Sequence, residues 1–394
     1  MRKGSSLSAM ITAEQRPMYR FLMVQTIASV VGLQAWMILF NNFAVESAHL
    51  NGAQVGIIQS VREIPGFLAL LAVFVLLVVR EHRLSAFSIV CLGAGVGLAG
   101  FFPSFIGLTA TTLLMSFGFH YYETTNQSLT LQYFDAATSP LVFGRLRSLA
   151  AGASIAVGGL IVLLDRFLGY RGMFFAAGAM VVVAGLWGLL QEPTHRNVVP
   201  QHKKMILRRR YSLYYFLTFM AGARRQIFVA FSIFLLVKIF HFSVLAIAVL
   251  FVVNNTVNYF VSPLIGRAIV RFGERRVLSL EYAGLIVIFL VYAFSGSRWV
   301  VAVMYVFDQM LFNFAIAIRT YFQKVADPRD IAPSMAVGFT INHVAAVVMP
   351  AIGGALWMVD YRIPFIAGAV LSFISLMAVQ RIPRFEKPEE AAAG

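Results

Sequence analysis

About twelve stretches of the sequence are apolar over the roughly 20 residues that a helix needs to cross the hydrocarbon of a bilayer. In chain order these windows are 20–42, 53–79, 84–102, 105–133, 146–165, 171–190, 213–239, 244–268, 277–295, 299–322, 334–357 and 363–381. The chain of 394 residues is 59% hydrophobic and only 12% charged, whereas soluble domains are about half apolar and about a quarter charged. We therefore predict an all-α integral membrane protein with about twelve transmembrane helices.

The connections between the windows alternate between strongly basic and nearly neutral. The basic set lies within residues 2–20, 80–83, 145–147, 196–210, 267–276, 324–329 and 381–387. The positive-inside rule places this set, and with it both termini, in the cytoplasm. The formal net charge of +15 therefore indicates membrane orientation, and we expect no nucleic-acid partner.

The longest connection, Glu192–Arg210, divides the windows six and six and carries a run of basic residues. We expect this run to contact anionic lipid, with a regulatory or nucleic-acid role as the alternative. Parallel halves with a site at their interface are an arrangement found in transporters. We predict a first half over 1–191, a basic cytoplasmic loop over 192–212 and a second half over 213–394, as two pseudo-symmetric six-helix bundles.

Several other chemistries find no support in the sequence. It has no Gly-x-x-x-x-Gly-Lys-Ser/Thr loop for a nucleotide and no His-Glu-x-x-His helix of a metalloprotease. No Cys/His cluster has metal-ligand spacing, and Cys91 is the single cysteine. We predict that the chain is not an enzyme and needs neither cofactor nor metal.

The segment Gly266–Arg276 reads GRAIVRFGERR and lies between the eighth and ninth windows. It resembles the cytoplasmic loop motif of the major facilitator superfamily, Gly-x-x-x-Asp-Arg-x-Gly-Arg-Arg. The matching positions, which the resemblance makes a gating loop, are Gly266, Arg271, Gly273, Arg275 and Arg276, while Val270 and Glu274 differ. The resemblance implies secondary transport by two six-helix halves that rock around a central cavity.

Two adjacent arginines, Arg224 and Arg225, lie in the seventh window. An arginine at this depth costs roughly 3 kcal/mol or more, so it faces protein, water or a ligand. We expect one to face the cavity and the other to pair with a carboxylate on another helix. A guanidinium suits carboxylate or phosphate, which indicates an anionic substrate. The alternative is that both arginines form ion pairs with the carboxylates in other windows, which are Glu63, Glu123 and Asp308.

Other polar residues also lie within the windows. A stripe at helical spacing in the fourth window consists of Ser116, His120, Glu123, Gln127 and Thr130. We expect it to line the cavity, with His120 and Glu123 as a hydrogen-bonded, proton-exchanging pair. In the second window Arg62 and Glu63 point about 100° apart, so each is expected to have a partner on another helix. Arg319 is expected to extend toward the cytoplasmic surface.

These observations predict a proton-coupled secondary transporter of a small organic anion, working as a monomer in a bacterial-type inner membrane. The predicted substrate-binding residues are Arg224, Arg225, Arg62, Asn254, Asn255, Asn313 and His343. The predicted proton-coupling residues are Glu123, His120, Asp308 and Glu63. The alternatives are a proton-driven exporter of drugs or lipophilic cations and a non-transporting receptor or membrane enzyme.

Overall fold

In a computed structural model, the described residues are 7–164, 167–194, 199–202, 204–242 and 244–383, and within them the chain forms helices and connections without a strand. Among the basic residues predicted to face the cytoplasm, those outside the described residues are Arg2, Lys3, Arg196, Lys203, Arg384 and Lys387. Nine helices of the described part are long and apolar enough to cross a membrane. The all-α membrane fold predicted from the sequence is confirmed.

The helices form twelve spans, numbered here in chain order. Their bounds are as follows: span 1 is Arg16–Glu46, span 2 is Gly52–Phe67 with the 3₁₀ turn Leu68–Leu71 and Ala72–Val75, span 3 is Glu81–Ala99, span 4 is Phe105–Tyr133, span 5 is Ser139–Leu164 and span 6 is Tyr170–Leu189. Span 7 is Ser212–Ile227 with the π-helical Phe228–Ser232 and Ile233–Lys238, span 8 is Val244–Phe272, span 9 is Glu274–Phe294, span 10 is Arg298–Phe312 with the 3₁₀ turn Asn313–Ala315 and Ile316–Val325, span 11 is Ile331–Val359 and span 12 is Arg362–Val379.

Three spans depart from regular α-helix along their length. Span 2 tightens into its 3₁₀ turn just after Pro65, which removes one backbone donor and disturbs the preceding turn. Span 7 widens into a π-helical turn that begins three residues after Arg225, and single π-turns inside α-helices are frequent at functional sites. Span 10 contains a 3₁₀ turn at Asn313. All three spans contribute to the central cavity described below.

Small residues allow the spans to pack closely. A Cβ atom added to Gly118 of span 4 would lie 2.3 Å from the backbone nitrogen of Leu92 on span 3. A Cβ atom on Gly178 of span 6 would lie 2.4 Å from the Cα atom of Gly97 on span 3. Helices in a membrane gain little from the hydrophobic effect between them, so such close van der Waals contact is a main source of their association.

The two sets of six spans touch at their cytoplasmic ends. Gln323 of span 10 donates hydrogen bonds of 2.6 Å to the backbone oxygens of Leu131 and Phe134, and Ser139 donates a 2.6 Å bond to its side-chain oxygen. Thr340 of span 11 donates to the backbone oxygen of Phe67 at 3.1 Å. These bonds join the two sets of spans.

The segment with the gating-loop pattern, expected between the two spans, consists of the last turns of span 8, the single connecting residue Gly273 and the start of span 9. Gly273 has a φ of +79°, the left-handed region that glycine adopts readily at the end of a helix. Arg275 donates two hydrogen bonds, of 3.1 and 3.0 Å, to Gln380 after span 12. Glu274 is buried and pairs with Lys324 of span 10 at 2.8 Å. The gating role of the segment stays a prediction.

The central loop is anchored to Asp330, between spans 10 and 11. The side chain of Asp330 is fully buried and pairs with His202 and Arg208, each at 2.7 Å. Tyr211 donates a 2.6 Å hydrogen bond to the same carboxylate, and Arg210 lies 3.4 Å away. Burial raises the pKa of Asp330, but the bonds from Tyr211, His202 and Arg208 lower it by more, so the pKa lies below its ordinary value. Arg208 and Arg210 thus contact protein, and contact of the run with anionic lipid stays a prediction.

Candidate functional site

The main cavity lies between the two sets of six spans and has a volume of about 920 Å³. Spans 1, 2, 4, 5, 7, 8, 10 and 11 contribute to its wall. The charged side chains that line it are Arg62, Glu63, Glu123, Arg147, Arg225 and Arg319, together with the histidines His120 and His343. Four arginines against two glutamates leave an excess of two positive charges when the histidines are neutral. The cavity is large enough for a small organic solute.

The two adjacent arginines of span 7 point in different directions, as consecutive helical residues do. Arg225 is exposed, and the surface that it exposes lines the main cavity, where its guanidinium is 5.0 Å from the ring centre of Phe312. Arg224 is 3% exposed and donates a hydrogen bond to Ser375 of span 12. Its guanidinium lies 3.8 Å from the carboxylate of Glu281 on span 9.

The carboxylate that pairs with Arg224 was not among those predicted from the sequence. The prediction named Glu63, Glu123 and Asp308 and omitted Glu281, although this residue lies inside the apolar window 277–295. A charged residue in an otherwise apolar window is the signal that could have identified it. Sequence alone cannot say which of four carboxylates on four helices faces a given arginine.

A second, small cavity of about 20 Å³ adjoins the main one and is lined by Arg224, Arg225, Glu281 and Asp308. Its volume holds about one water molecule. Asp308 and Glu281 are each 3% exposed, and the oxygens Oδ2 and Oε2 have no hydrogen-bond partner among the described residues. Asp308 was predicted to be a proton-coupling residue; the structure places it on the wall of this smaller cavity, and Arg225 lines both cavities.

The prediction that Arg62 and Glu63 have partners on different helices is wrong. Arg62 donates a 2.6 Å hydrogen bond to Oε1 of Glu63, so the two neighbours neutralise each other. Their Cβ atoms diverge around the helix, but both side chains are long enough to bend toward one another. Arg62 also lies 5.6 Å from the ring centre of Trp36. In the described structure, Arg62 is therefore an ion-paired side chain and not a free cation.

The polar stripe of span 4 lines the main cavity through Ser116, His120, Glu123 and Gln127. Thr130, the fifth predicted member, is fully buried and donates a hydrogen bond of 2.8 Å within its own helix instead. The stripe turns away from the cavity at that point because a straight helix drifts relative to an alternating three- and four-residue spacing.

The predicted hydrogen-bonded pair of His120 and Glu123 is not formed in the structure. Nδ1 of His120 lies 2.9 Å from the backbone oxygen of Ser116, one turn earlier. Glu123 accepts a 3.3 Å hydrogen bond from Gln127. Each side chain is thus satisfied by its own helix at a spacing of four residues, where helical neighbours lie closest.

The three asparagines predicted to orient the substrate lie outside the main cavity wall. Asn313 donates a 2.8 Å hydrogen bond to Asn258, which joins spans 10 and 8. Asn255 donates to the backbone oxygen of Phe251 at 3.0 Å. Asn254 is 4% exposed, and its amide atoms have no partner among the described residues. Asn313 and Asn255 bond to helices, a common use of amides within membrane bundles.

The prediction from the sequence did not place two arginines, Arg147 and Arg319, in the cavity. Arg147 was read only as part of a basic cytoplasmic connection, and Arg319 was expected to extend toward the surface. Both line the main cavity, and the guanidinium of Arg319 lies 5.7 Å from the ring centre of Phe143. Their positions near helix ends resemble those of surface anchors, so only the tertiary packing shows that they turn inward.

Comparison with known proteins decides the family. The sequence profile of the Major Facilitator Superfamily matches residues 21–343 and 215–394. The chain belongs to the major facilitator superfamily. Members of this superfamily are transporters, so the protein is a multi-pass membrane transporter and not an enzyme. Comparison of the sequence with proteins of curated function finds no match.

Solved structures of this superfamily share the fold at low sequence identity. The transporter FucP in its outward conformation is 12% identical with a TM-score of 0.76, covering 93% of this chain and 99% of FucP. The human organic anion transporter MFSD10 (TETRAN) is 11% identical with a TM-score of 0.74, over 94% of this chain and 100% of that one. A bacterial homologue of the iron transporter ferroportin, in an outward-facing state, is 12% identical with a TM-score of 0.73, over 92% and 98%.

Proposed function

We propose that this major facilitator superfamily protein is a secondary active transporter of a small organic anion. The observation that carries the proposal is the excess of two positive charges on the wall of the main cavity. Since Arg62 is already paired with Glu63, the remaining cavity charges are three arginines and one glutamate. In a partly dehydrated space, such an excess attracts a solute of opposite charge.

Arg225 is the residue best placed to bind the anion. It is exposed to the cavity, and its guanidinium can donate two parallel hydrogen bonds to a carboxylate or phosphate. Arg147 and Arg319 add positive charge to the same wall. Gln309 and His343, which also line it, offer polar groups that could orient the rest of the solute.

The proton would bind in the small cavity beside Arg225. With both carboxyl groups ionised, Arg224, Glu281 and Asp308 carry one negative charge in excess, and one proton on either carboxyl group balances them. Because Arg225 lines both cavities, the charge of this cluster acts directly on the anion-binding residue. The proposal thus adds Glu281 to the predicted proton-coupling residues, which are Glu123, His120, Asp308 and Glu63.

Transport would follow by alternating access. The bonds of Gln323 join the two six-helix sets, and rocking of one set against the other would break them and open the cavity on that side. We further propose that the protein works as a monomer in a bacterial-type cytoplasmic membrane.

Ligand binding to the purified protein tests the anion assignment. A ligand that binds only the folded state raises the apparent stability by mass action. We expect one class among mono- and dicarboxylates, phosphate esters and sulfonates to raise the melting temperature. The variant R225Q should weaken binding of that anion at least about tenfold, because a charge-assisted hydrogen bond contributes about 1.5–3 kcal/mol.

The matched control is R298Q at the outer end of span 10, where the arginine is exposed beside Trp299. This variant should bind the anion as the unmodified protein does. Stabilisation by lipophilic cations with no response to any anion would overturn the proposal and favour the drug-exporter alternative.

A further inference from the structure

Three potential metal ligands from three different spans meet at the wall of the main cavity. Glu63 of span 2, His120 of span 4 and His343 of span 11 each place a ligand atom within 4.8 Å of the other two. The two histidines are 5% and 7% exposed, and their ring centres are 5.0 Å apart. No spacing in the sequence indicates this cluster, because its members are separated by 57 and 223 residues (120 − 63 and 343 − 120).

Backbone contacts of both histidines leave Nε2 free to bind a metal ion. Nδ1 of His120 lies 2.9 Å from the backbone oxygen of Ser116, and Nδ1 of His343 lies 2.9 Å from that of Phe339. A carbonyl oxygen can only accept, so Nδ1 carries the proton in each ring and Nε2 presents a lone pair. Metal-binding histidines generally donate their other ring N–H to such a group, which fixes the orientation of the ring.

Span 2 is shaped to let the two rings meet. A Cβ atom on Gly66 would lie 2.3 Å from Cδ2 of His343 and 2.8 Å from Cδ2 of His120. Only a residue without a side chain can therefore occupy position 66 while both imidazoles lie against the helix. Glu63 is one turn before Gly66, which brings its carboxylate to the same place.

We propose that Glu63, His120 and His343 form a site for a divalent transition-metal ion such as Zn²⁺, and that an ion bound there bridges the two halves and arrests transport. Two imidazoles and one carboxylate are a donor set that zinc uses in proteins. Ligands about 2.0–2.1 Å from a tetrahedral zinc ion lie roughly 3.4 Å apart, so the three atoms need only a small closing movement from their present separation.

The surroundings define how the ion would bind. Arg62 uses Oε1 of Glu63, which leaves Oε2 to coordinate the ion. The positive charges of Arg62 and Arg225 weaken the site relative to one without a nearby cation. All three ligands line the main cavity, so the ion can enter from it and keeps an open coordination position for water. Because His343 belongs to the second six spans and the other ligands to the first, the ion would oppose any rocking of one set against the other.

Titration of the purified protein with Zn²⁺, in chelator-treated buffer that contains no candidate substrate anion, tests the site. We expect one zinc ion per chain by calorimetry, a higher melting temperature with zinc, and a Co²⁺ absorption spectrum typical of low coordination number. The variants H120Q and H343Q should each lower the affinity for zinc at least about 100-fold, since loss of even an outer-shell partner lowers metal affinity about 10–100-fold. In the unmodified protein reconstituted into vesicles, zinc should stop transport.

Control variants separate the site from general effects. H49Q alters an exposed histidine in an outer connection and should bind zinc as before. R225Q should lose anion binding and retain zinc binding. Failure of this proposal and failure of the anion assignment therefore give different results. Equal zinc affinity in the unmodified protein, H120Q and H343Q would overturn the proposal, as would the absence of any zinc site in the folded, unmodified protein.

Discussion

Arg224 and Arg225 show how one step along a helix separates two functions. Sequence was sufficient to predict that the side chains diverge, since consecutive residues point about 100° apart. It could not identify Glu281 as the partner of Arg224, because that pairing depends on how spans 7 and 9 rotate against each other. It also could not foresee that Arg62 turns back onto Glu63, since the flexibility of two long side chains outweighs the divergence of their Cβ atoms.

Asp330 provides a prediction at the scale of one residue. Its pKa is below the ordinary value in the folded protein, so its stabilising effect is present above that ordinary value and is lost as the pH falls through the folded pKa. At pH 7 we expect D330N to lower the free energy of unfolding by about 2 kcal/mol, the scale of a hydrogen bond to a charged group. Denaturant unfolding in detergent measures this difference.

The pH series distinguishes the carboxylate effect from a packing defect. As the pH falls below about 4, the ordinary range of an aspartic acid, the difference between D330N and the unmodified protein should close. The control D360N alters an exposed aspartate and should change stability little at any pH. A difference for D330N that stayed constant down to low pH would contradict the assigned role of its charge.

At the scale of helices, the positions of the spans could be predicted from the sequence, but the direction that each polar side chain faces could not. The fourth window, 105–133, coincides with the helix Phe105–Tyr133, which the side chain of Ser104 caps at its start. The breaks within spans 7 and 10 were not predicted, since a π-turn or a 3₁₀ turn has no strong sequence signal. Asn254, Asn255 and Asn313 were assigned to the cavity only from their depth in the membrane, whereas their position around the helix decides what they contact.

Gly222 offers a test of helix packing next to the arginine pair. A Cβ atom there would lie 2.5 Å from the backbone oxygen of Asn342 on span 11, and backbone cannot move aside as a side chain can. We expect G222A to lower stability by about 1–3 kcal/mol, as overpacking typically does. The measurement is the melting temperature and the denaturant midpoint of the purified variant.

A matched substitution makes this result interpretable. A Cβ atom on Gly158 of span 5 would meet nothing within 4 Å. Because alanine favours a helix over glycine by up to about 1 kcal/mol, G158A should be neutral or slightly stabilising. Equal destabilisation by G222A and G158A would mean that the close approach of spans 7 and 11 contributes nothing specific.

For the whole molecule, membership of the superfamily and the twelve-span fold follow from apolar length, alternating loop charge and the motif at 266–276. The chemistry of the cavity does not follow from those features. Arg147 and Arg319 join Arg225 only after the two sets of spans pack together, and this convergence creates the excess positive charge. Likewise, His120 and His343 come from opposite halves, so no local pattern could have paired them.

Transport by the purified protein in sealed vesicles tests the central claim most directly. The labelled anion that best stabilises the protein would be followed with and without an imposed pH gradient. We predict gradient-dependent movement by the unmodified protein, loss of movement by R225Q, and exchange that no longer responds to the gradient in D308N. Movement of lipophilic cations instead of anions, or full anion transport by R225Q, would contradict the account.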